Sequence, residues 1–478
     1  MNRKLILHTL GWVLIIEAIC MLPPLACGIV CKEQEYLSFL ICAGIIGAIG
    51  FAFKIRPLKD KSMYAKEGLL IVALSWILLS LTGAAPFVIS GAIPSYIDAL
   101  FETASGFTTT GASILSNVEA LPKCMLFWRS FTHWIGGMGV LVFLVALLPI
   151  SGGNNVHLMR AESTGPAVSK LVPKVKSTAT ILYTIYAVMT IAEIIFLLIG
   201  RMPIFDAITT AFGTAGTGGF GIKADSIAGY SPYIQNVITI FMLLFGVNFS
   251  LYYLLLIKHF KDVWHSTELK VYIGIFLTAA IVICFNILPR YQSIAEAFRH
   301  SAFQVSSIMT TTGFATTDFN QWPELSKTIL VVIMFIGACA GSTGGGMKVS
   351  RIIIMLKGVA KELKLAAHPK SVHKISLDGR PIEHETVRIV NAYAIAFTVI
   401  YVVSMLLISL DNQSFTTNFT AVAATINNIG PGLDAVGPTS NFGIFSNFSK
   451  IVLIFDMLVG RLEIFPMLAL ISPYTWKK

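Results

Sequence analysis

Charge is what this 478-residue sequence has least of. Asp, Glu, Lys and Arg together make up 13% of it, against about a quarter in ordinary soluble domains. So little charge cannot clothe a water-facing surface of this size. The 55% hydrophobic content and the mean hydropathy of +0.75 agree. No CxxC pair occurs among the seven cysteines (Cys20, Cys27, Cys31, Cys42, Cys124, Cys284, Cys339), which lie in or near apolar segments. That argues against a thiolate metal site or a dithiol redox motif and leaves small buried hydrophobes. No nucleotide-binding pattern and no nucleic-acid recognition module is visible. Convergent intramembrane His, Asp or Glu, which a membrane enzyme needs, is missing too. Glu383, His384 and Glu385 do cluster, but in a loop and without metal-ligand spacing.

Long apolar runs are abundant instead, and they specify an all-α polytopic membrane protein. The net charge is +10. Most of the Lys and Arg fall at the N-terminus, in segments 54–66, 157–176, 258–270 and 348–388, and in the last two residues. The positive-inside rule makes all of these cytoplasmic, both termini included. The opening MNRKLILHTLGWVLIIEAIC imitates a signal peptide, but it carries Glu17 and lacks a small-x-small cleavage site, so it reads as a retained first helix.

The apolar runs repeat. After an initial pair (about 5–30 and 36–55), four units follow. Each has an outgoing run, M1 (about 67–90, 178–200, 270–289 and 388–410), and a returning run, M2 (about 124–150, 231–257, 325–360 and 448–472). The units read as 67–176, 177–266, 267–387 and 388–478, preceded by a helix pair and loop over 1–66: about ten transmembrane helices and four re-entrant loops. Between each M1 and M2 lies a segment too polar to span and too apolar for a plain loop: YIDALFETASGFTTTGAS (Tyr96–Ser113), FDAITTAFGTAGTGGFG (Phe205–Gly221), HSAFQVSSIMTTTGFAT (His300–Thr316) and TTNFTAVAATINNIGPG (Thr416–Gly432). Each begins with a short helical pattern and ends at a glycine. Asp98 to Gly111, Asp206 to Gly219 and His300 to Gly313 share one separation, and the fourth segment aligns Asn427-Asn428-Ile429-Gly430 with Thr310-Thr311-Thr312-Gly313. Four such units suggest four pseudo-equivalent quarters around an axis.

Non-helical backbone at membrane depth survives only where protein buries it or water fills the space beside it. Four such segments on one axis can turn carbonyl oxygens inward, and a carbonyl ring replaces the hydration shell of an alkali cation. Glycine permits the required backbone twist. The pore helices would bring their partly negative C-termini to the centre. Asp98 and Asp206 fit as N-caps at their outer ends, and His300 as the cap of the third.

With these motifs in place the chain resembles the Trk/Ktr/HKT superfamily of potassium transporters, most closely the TrkH-like membrane subunits of bacteria. The resemblance covers the whole length and rests on FTTTGA, GGF, FQVSSIMTTTGF and NNIGPG. It implies potassium uptake through a one-glycine filter at Gly111, Gly219, Gly313 and Gly430, with the carbonyls of Thr110, Gly218, Thr312 and Ile429 as the next ring. The several glycines of GTAGTGGF leave open which carbonyl of the second loop faces the ion. The resemblance also implies a bacterial inner-membrane location, a homodimer, and a TrkA-like cytosolic nucleotide-binding subunit that controls the pore.

The third M2 run is too long for one span, and its middle reads GACAGSTGGGMK, Gly337 to Lys348. Three consecutive glycines do not hold a helix, so an unwound loop below the filter is expected, with a GxxxG packing surface as the alternative. In TrkH-like proteins the matching stretch is a gating loop, which implies that role for Gly341, Ser342, Thr343, Gly344, Gly345, Gly346 and Lys348. Arg461 lies within the last apolar run, where a charge is disfavoured by about 2.5–3.5 kcal/mol. The resemblance places it beside the permeation path; a structural pairing with Asp456 or Glu463 is the alternative. Glu17 and Glu193 are assigned to interfaces or helix contacts. A solute symporter coupled to sodium or protons is the competing function, but it would show two inverted halves.

Overall fold

The computed structural model describes residues 2–55, 64–139, 175–371 and 373–476. Among these the chain is mostly helical, and the strand content is one two-residue hairpin, Ser376–Leu377 antiparallel to Arg380–Pro381. Six helical stretches are long and apolar enough to cross a membrane: Arg3–Cys31, Tyr36–Lys54, Ala65–Ile89, Ser177–Ile199, Thr267–Arg290 and His384–Asp411. They fall on the initial pair and the four outgoing runs. Their outer faces expose large apolar side chains such as Ile45, Val188, Phe285 and Leu406, as surfaces solvated by acyl chains should. The first two cross at Gly11 and Gly50, where a β-carbon on either would lie within 2.8 Å of the other's carbonyl oxygen. Small residues at such a crossing let two backbones approach. Glu17 is buried in a helix contact and accepts a hydrogen bond from Thr82 Oγ1 at 2.6 Å; Glu193 is fully buried.

Four shorter helices lie inside this shell: Tyr96–Phe107, Ile204–Gly216, Ile294–Met309 and Phe415–Ile426. All residues are buried over 101–110, 213–218, 300–312 and 420–430. A helix enclosed on every side occupies the middle of a structure.

Their N-termini correct the sequence reading. The caps are Ser95, Pro203, Ser293 and Ser414, and the three serine side chains accept backbone N–H groups of the first turn. Asp98 and Asp206 stand one turn further in. Asp98 accepts from Lys450 at 2.5 Å and Asp206 from the Tyr230 hydroxyl at 2.8 Å. His300 is no cap. The third helix begins six residues before it, and His300 is buried within that helix, bonded through Nδ1 to Thr316 Oγ1 at 2.9 Å and stacked on Tyr291.

The returning runs are broken in more places than the sequence indicated. The first forms a helix over Lys123–Gly137, and its expected continuation to 150 lies outside the described residues. The second bends by 90° between Pro232–Phe245 and Phe249–Leu256. The third divides into Glu324–Met334 and Val349–Ala367 around a long irregular stretch. The fourth stops at Arg461 and resumes at Phe465, with Glu463 and Ile464 at φ of 60° and 68°.

Candidate functional site: a ring of four backbone turns

Each of the four enclosed helices ends in the same turn. Thr109, Thr217, Thr311 and Asn428 adopt left-handed backbone, with φ between 54° and 60°. Their N–H groups donate three residues back, to Gly106, Thr214, Ile308 and Thr425, at 3.0–3.1 Å. The next residues, Thr110, Gly218, Thr312 and Ile429, donate five back, to Ser105, Gly213, Ser307 and Ala424, at 2.8–2.9 Å. This is the Schellman termination, with threonine or asparagine where glycine is usual. Left-handed backbone costs about 1–3 kcal/mol at a non-glycine residue and persists only where the surroundings enforce it.

The following residues are Gly111, Gly219, Gly313 and Gly430, with φ of 78°, 72°, 87° and 98°. A β-carbon on Gly111 would lie 2.0 Å from the Gly218 carbonyl oxygen; on Gly219, 1.9 Å from that of Thr312; on Gly313, 2.2 Å from that of Ile429; and on Gly430, 2.8 Å from that of Thr110. These four contacts close a cycle in chain order. The sequence-selected residues Thr110, Gly111, Gly218, Gly219, Thr312, Gly313, Ile429 and Gly430 therefore meet in one place. They also meet in one register, with Gly218 and Gly219 as the second loop's equivalents of Thr110 and Gly111.

The threonine hydroxyls turn into the protein. Thr108 and Thr310 donate to Ala104 and Ser306 at 2.6 and 2.7 Å, and pair with Thr110 and Thr312 at 2.8 Å. Asn428 Nδ2 donates to Thr110 Oγ1 and to the Met457 carbonyl, both at 2.9 Å, tying the fourth loop to the first.

Residues that the sequence reading passed over brace this ring. Glu102 and Arg129 form a buried ion pair at 2.7 Å; Arg129 also donates to the Gly221 carbonyl at 3.1 Å and lies over the Phe220 ring. Glu102 further accepts from Ser113 Oγ and from the Ile114 N–H. His133 accepts the Phe220 N–H at Nε2, which leaves Nδ1 to donate to the Gly106 carbonyl at 2.8 Å. A charge in each of FETASG and FWRSF was the available signal.

On one side of the ring lies a cavity of about 160 Å³ whose lining includes all four glycines together with Arg129, Lys223 and Pro431. In the loop after Gly430, Asp434 accepts from Ser414 and Thr417, and these hydrogen bonds hold its carboxyl below the usual range. Tyr230, beside Asp206, has its phenol pushed up, mainly by burial and then by that hydrogen bond.

On the other side sits the irregular stretch between Met334 and Val349. Its base is closed where Gly337 meets Gly346, a β-carbon on the former falling 2.9 Å from the latter's Cα. Its tip reaches the ring. The Gly345 N–H donates to Thr311 Oγ1 at 2.7 Å, and Gly344 abuts the Thr310 carbonyl. Thr343 Oγ1 donates to the Phe245 carbonyl at 3.2 Å, the Phe249 N–H to Gly341 O at 3.0 Å, and Ser342 Oγ to Cys339 O at 2.6 Å. Lys348 turns back to donate to the Gly344 carbonyl. A buried Glu268 carboxylate accepts the N–H groups of Ala340 and Ser350 at 2.7 and 3.0 Å. A GxxxG helix surface is thus excluded; the segment is a folded loop. Arg461 donates to the Thr343 carbonyl at 2.8 Å and to the carbonyls of Gly136 and Gly137. The carboxylates offered as its partners are engaged elsewhere, Glu463 by Arg351 and Asp456 by Ser404 at 2.6 Å.

The chain matches the family model described as TrkH, cation transport protein, over residues 38–289 and 290–477. It is 37% identical over the full length of both chains to the Trk system potassium uptake protein TrkH of Salmonella typhimurium, and equally to that of Escherichia coli K12. The crystal structure of the potassium transporter TrkH from Vibrio parahaemolyticus superposes with a TM-score of 0.90 at 34% identity, covering all of both chains.

Proposed function

The chain belongs to the TrkH family of cation transport proteins, and from that premise we propose that it carries potassium across the bacterial inner membrane as a multi-pass protein. It is a transporter and not an enzyme. The observation that carries the reading is the closed cycle of Gly111, Gly219, Gly313 and Gly430 with the carbonyls of Gly218, Thr312, Ile429 and Thr110.

The ring acts as the selectivity filter. Four carbonyls at one level replace water around a desolvated alkali cation. Four helix C-termini converge on the same point, each contributing about 0.3–1 kcal/mol toward a positive charge. The hydroxyls of Thr108, Thr110, Thr310 and Thr312 are spent within the turns, which leaves the backbone oxygens for the ion. The four units 67–176, 177–266, 267–387 and 388–478 then form quarters around the pore, with 1–66 outside them, ten crossings and both termini cytoplasmic. The cavity at the glycines is the outer vestibule.

The loop from Gly341 to Lys348 is the gate. It lies against Thr310 and Thr311 below the filter and its glycines accept several backbone states. Arg461 holds it shut through Thr343, and its charge raises the barrier to a cation in a low-dielectric space. The Trk system name of the relatives supports a cytosolic partner, read here as a TrkA-like nucleotide-binding subunit acting on this loop, with the membrane subunit as a homodimer. The relatives named above are potassium transporters, which does not favour the solute symporter reading. Growth of a potassium-uptake-deficient bacterial strain on low potassium tests the function: expression of this chain restores growth, and failure to do so at normal membrane abundance overturns it.

A further inference from the structure

A second cavity, of about 270 Å³, lies far from the filter. It opens between the Val349–Ala367 helix, the Ser376–Pro381 hairpin and the start of the His384–Ile408 helix. Lys361, His373, Lys374 and His384 face it against a single carboxylate, Glu383. Its walls are tied in place. Lys357 Nζ donates to the Ser376 carbonyl at 2.7 Å, the Ile382 N–H to Ile375 O at 2.8 Å, and the Asp378 carboxylate accepts the Thr267 N–H at 2.7 Å. Two ammonium groups and two imidazoles around a fixed hollow suit an anion with several acceptor oxygens.

A separate observation indicates where that anion comes from. On another face of the same helix Leu356, Val359 and Leu363 are 65%, 60% and 67% exposed at helical spacing. An apolar stripe beside a basic one suits a helix that turns one face to lipid and keeps its ammonium groups at the polar boundary. Depth agrees. The helix starts from the loop under the filter and rises about 1.5 Å per residue, so roughly ten residues cross half of a ~30 Å hydrocarbon core. For a helix running along the membrane normal, that path brings Val359 and Lys361 to headgroup level, the level at which the span beginning at His384 leaves the cytoplasmic side in the orientation proposed above.

We infer that this cavity binds a phosphate anion, supplied by the headgroup of an acidic phospholipid of the cytoplasmic leaflet. Basic pockets between membrane helices on that side are suited to such headgroups. The lipid source rests on the orientation proposed above. The site is mechanically placed to matter, because the helix carrying Lys361 begins at Lys348, which is bonded to Gly344 in the loop.

The test reads binding and not transport, so its outcome is independent of the potassium reading. Purified full-length protein in neutral detergent is titrated with dioleoyl phosphatidylglycerol or dioleoyl phosphatidylcholine, and retained lipid is measured by native mass spectrometry. The wild type should prefer phosphatidylglycerol. Lys361→Gln with Lys374→Gln should weaken it by roughly 30-fold, about fivefold per lysine near an anionic headgroup. Glu383→Gln should tighten it severalfold, a gain that misfolding cannot imitate. Equal retention of both lipids, or unchanged phosphatidylglycerol affinity in the lysine double variant, would overturn the site. If millimolar inorganic phosphate displaces the lipid and alone stabilises the protein, the anion site stands and its lipid source falls.

Discussion

Arg461 donates to the carbonyl oxygen of Thr343 at 2.8 Å, joining the last returning helix to the glycine-rich loop that abuts the ring of four turns. The same guanidinium reaches the carbonyls of Gly136 and Gly137, at the C-terminal end of the first returning helix. A cation there is favoured by the helix dipole as well as by direct hydrogen bonds. Arg461→Ala should release the loop, raise flux severalfold, and leave ion selectivity intact. Rubidium uptake per folded protein is the measurement. Loss of thermal stability with no gain in flux would reduce Arg461 to a structural tie.

Removing the loop tip should act in the same direction. Deleting Gly341–Gly346 takes away the contacts to Thr311, Phe245 and Arg461 together. Uptake should rise and become less dependent on any cytosolic partner. Uptake equal to wild type at matched abundance would contradict the gate.

The glycine-rich loop and the four closing glycines are plainly readable in the sequence, and other features are not. Four segments closing at a glycine, three of them with one spacing, are visible without coordinates, because an intramembrane break has few other solutions. The register of GTAGTGGF was not readable, since glycine is compatible with either hand of backbone at every position. It emerges from Thr217, whose left-handed φ matches that of Thr109, Thr311 and Asn428. The N-caps were misassigned because an acidic residue at N3 imitates a cap, Asp98 three residues after Ser95 in SYID and Asp206 three after Pro203 in PIFD, and the third helix simply starts earlier than His300. The 90° bend at Gly246–Asn248 and the break before Pro466 were hidden inside apolar runs whose hydropathy continues through them. Glu102 and Arg129 show in the sequence only as isolated charges, and His133 carries no local pattern. Their roles exist only once the first and second loops are side by side.

The buried Glu102–Arg129 pair should be essential for assembly. Glu102→Gln leaves a buried guanidinium without its counter-charge, and breaking one partner of such a pair costs about 3–5 kcal/mol. The detergent-solubilised variant should unfold at markedly lower temperature. A melting temperature within a degree of wild type would show that the pair does not hold the loops together.

Asp434 should make the loop after Gly430 acid-sensitive. Hydrogen bonds from Ser414 and Thr417 lower its folded-state pKa, so its stabilisation is fully present above the ordinary carboxylate range of about 4 and is lost as pH falls through the lowered value. Asp434→Asn should flatten that acid-side decline in thermal stability. An identical decline in wild type and variant would rule Asp434 out as its source.

Residues 95–123 should be reachable only from outside the cell. Asn117 is exposed in the loop after the first filter turn. In a background without native cysteines, Asn117→Cys should react with an impermeant thiol reagent in intact cells. Labelling that appears only after permeabilisation would invert the topology.

The filter itself is tested most directly at Gly313, whose φ is 87° and whose β-carbon would fall 2.2 Å from the Ile429 carbonyl oxygen. Gly313→Ser must move that oxygen out of the ring. The decisive measurement is the reversal potential of the reconstituted protein between potassium on one side and sodium on the other. A tenfold loss of preference shifts it by about 59 mV. Gly313→Ser should fold, insert, and shift the potential toward zero by that order. A variant that conducts with the wild-type reversal potential would contradict the assignment of these four carbonyls as the filter.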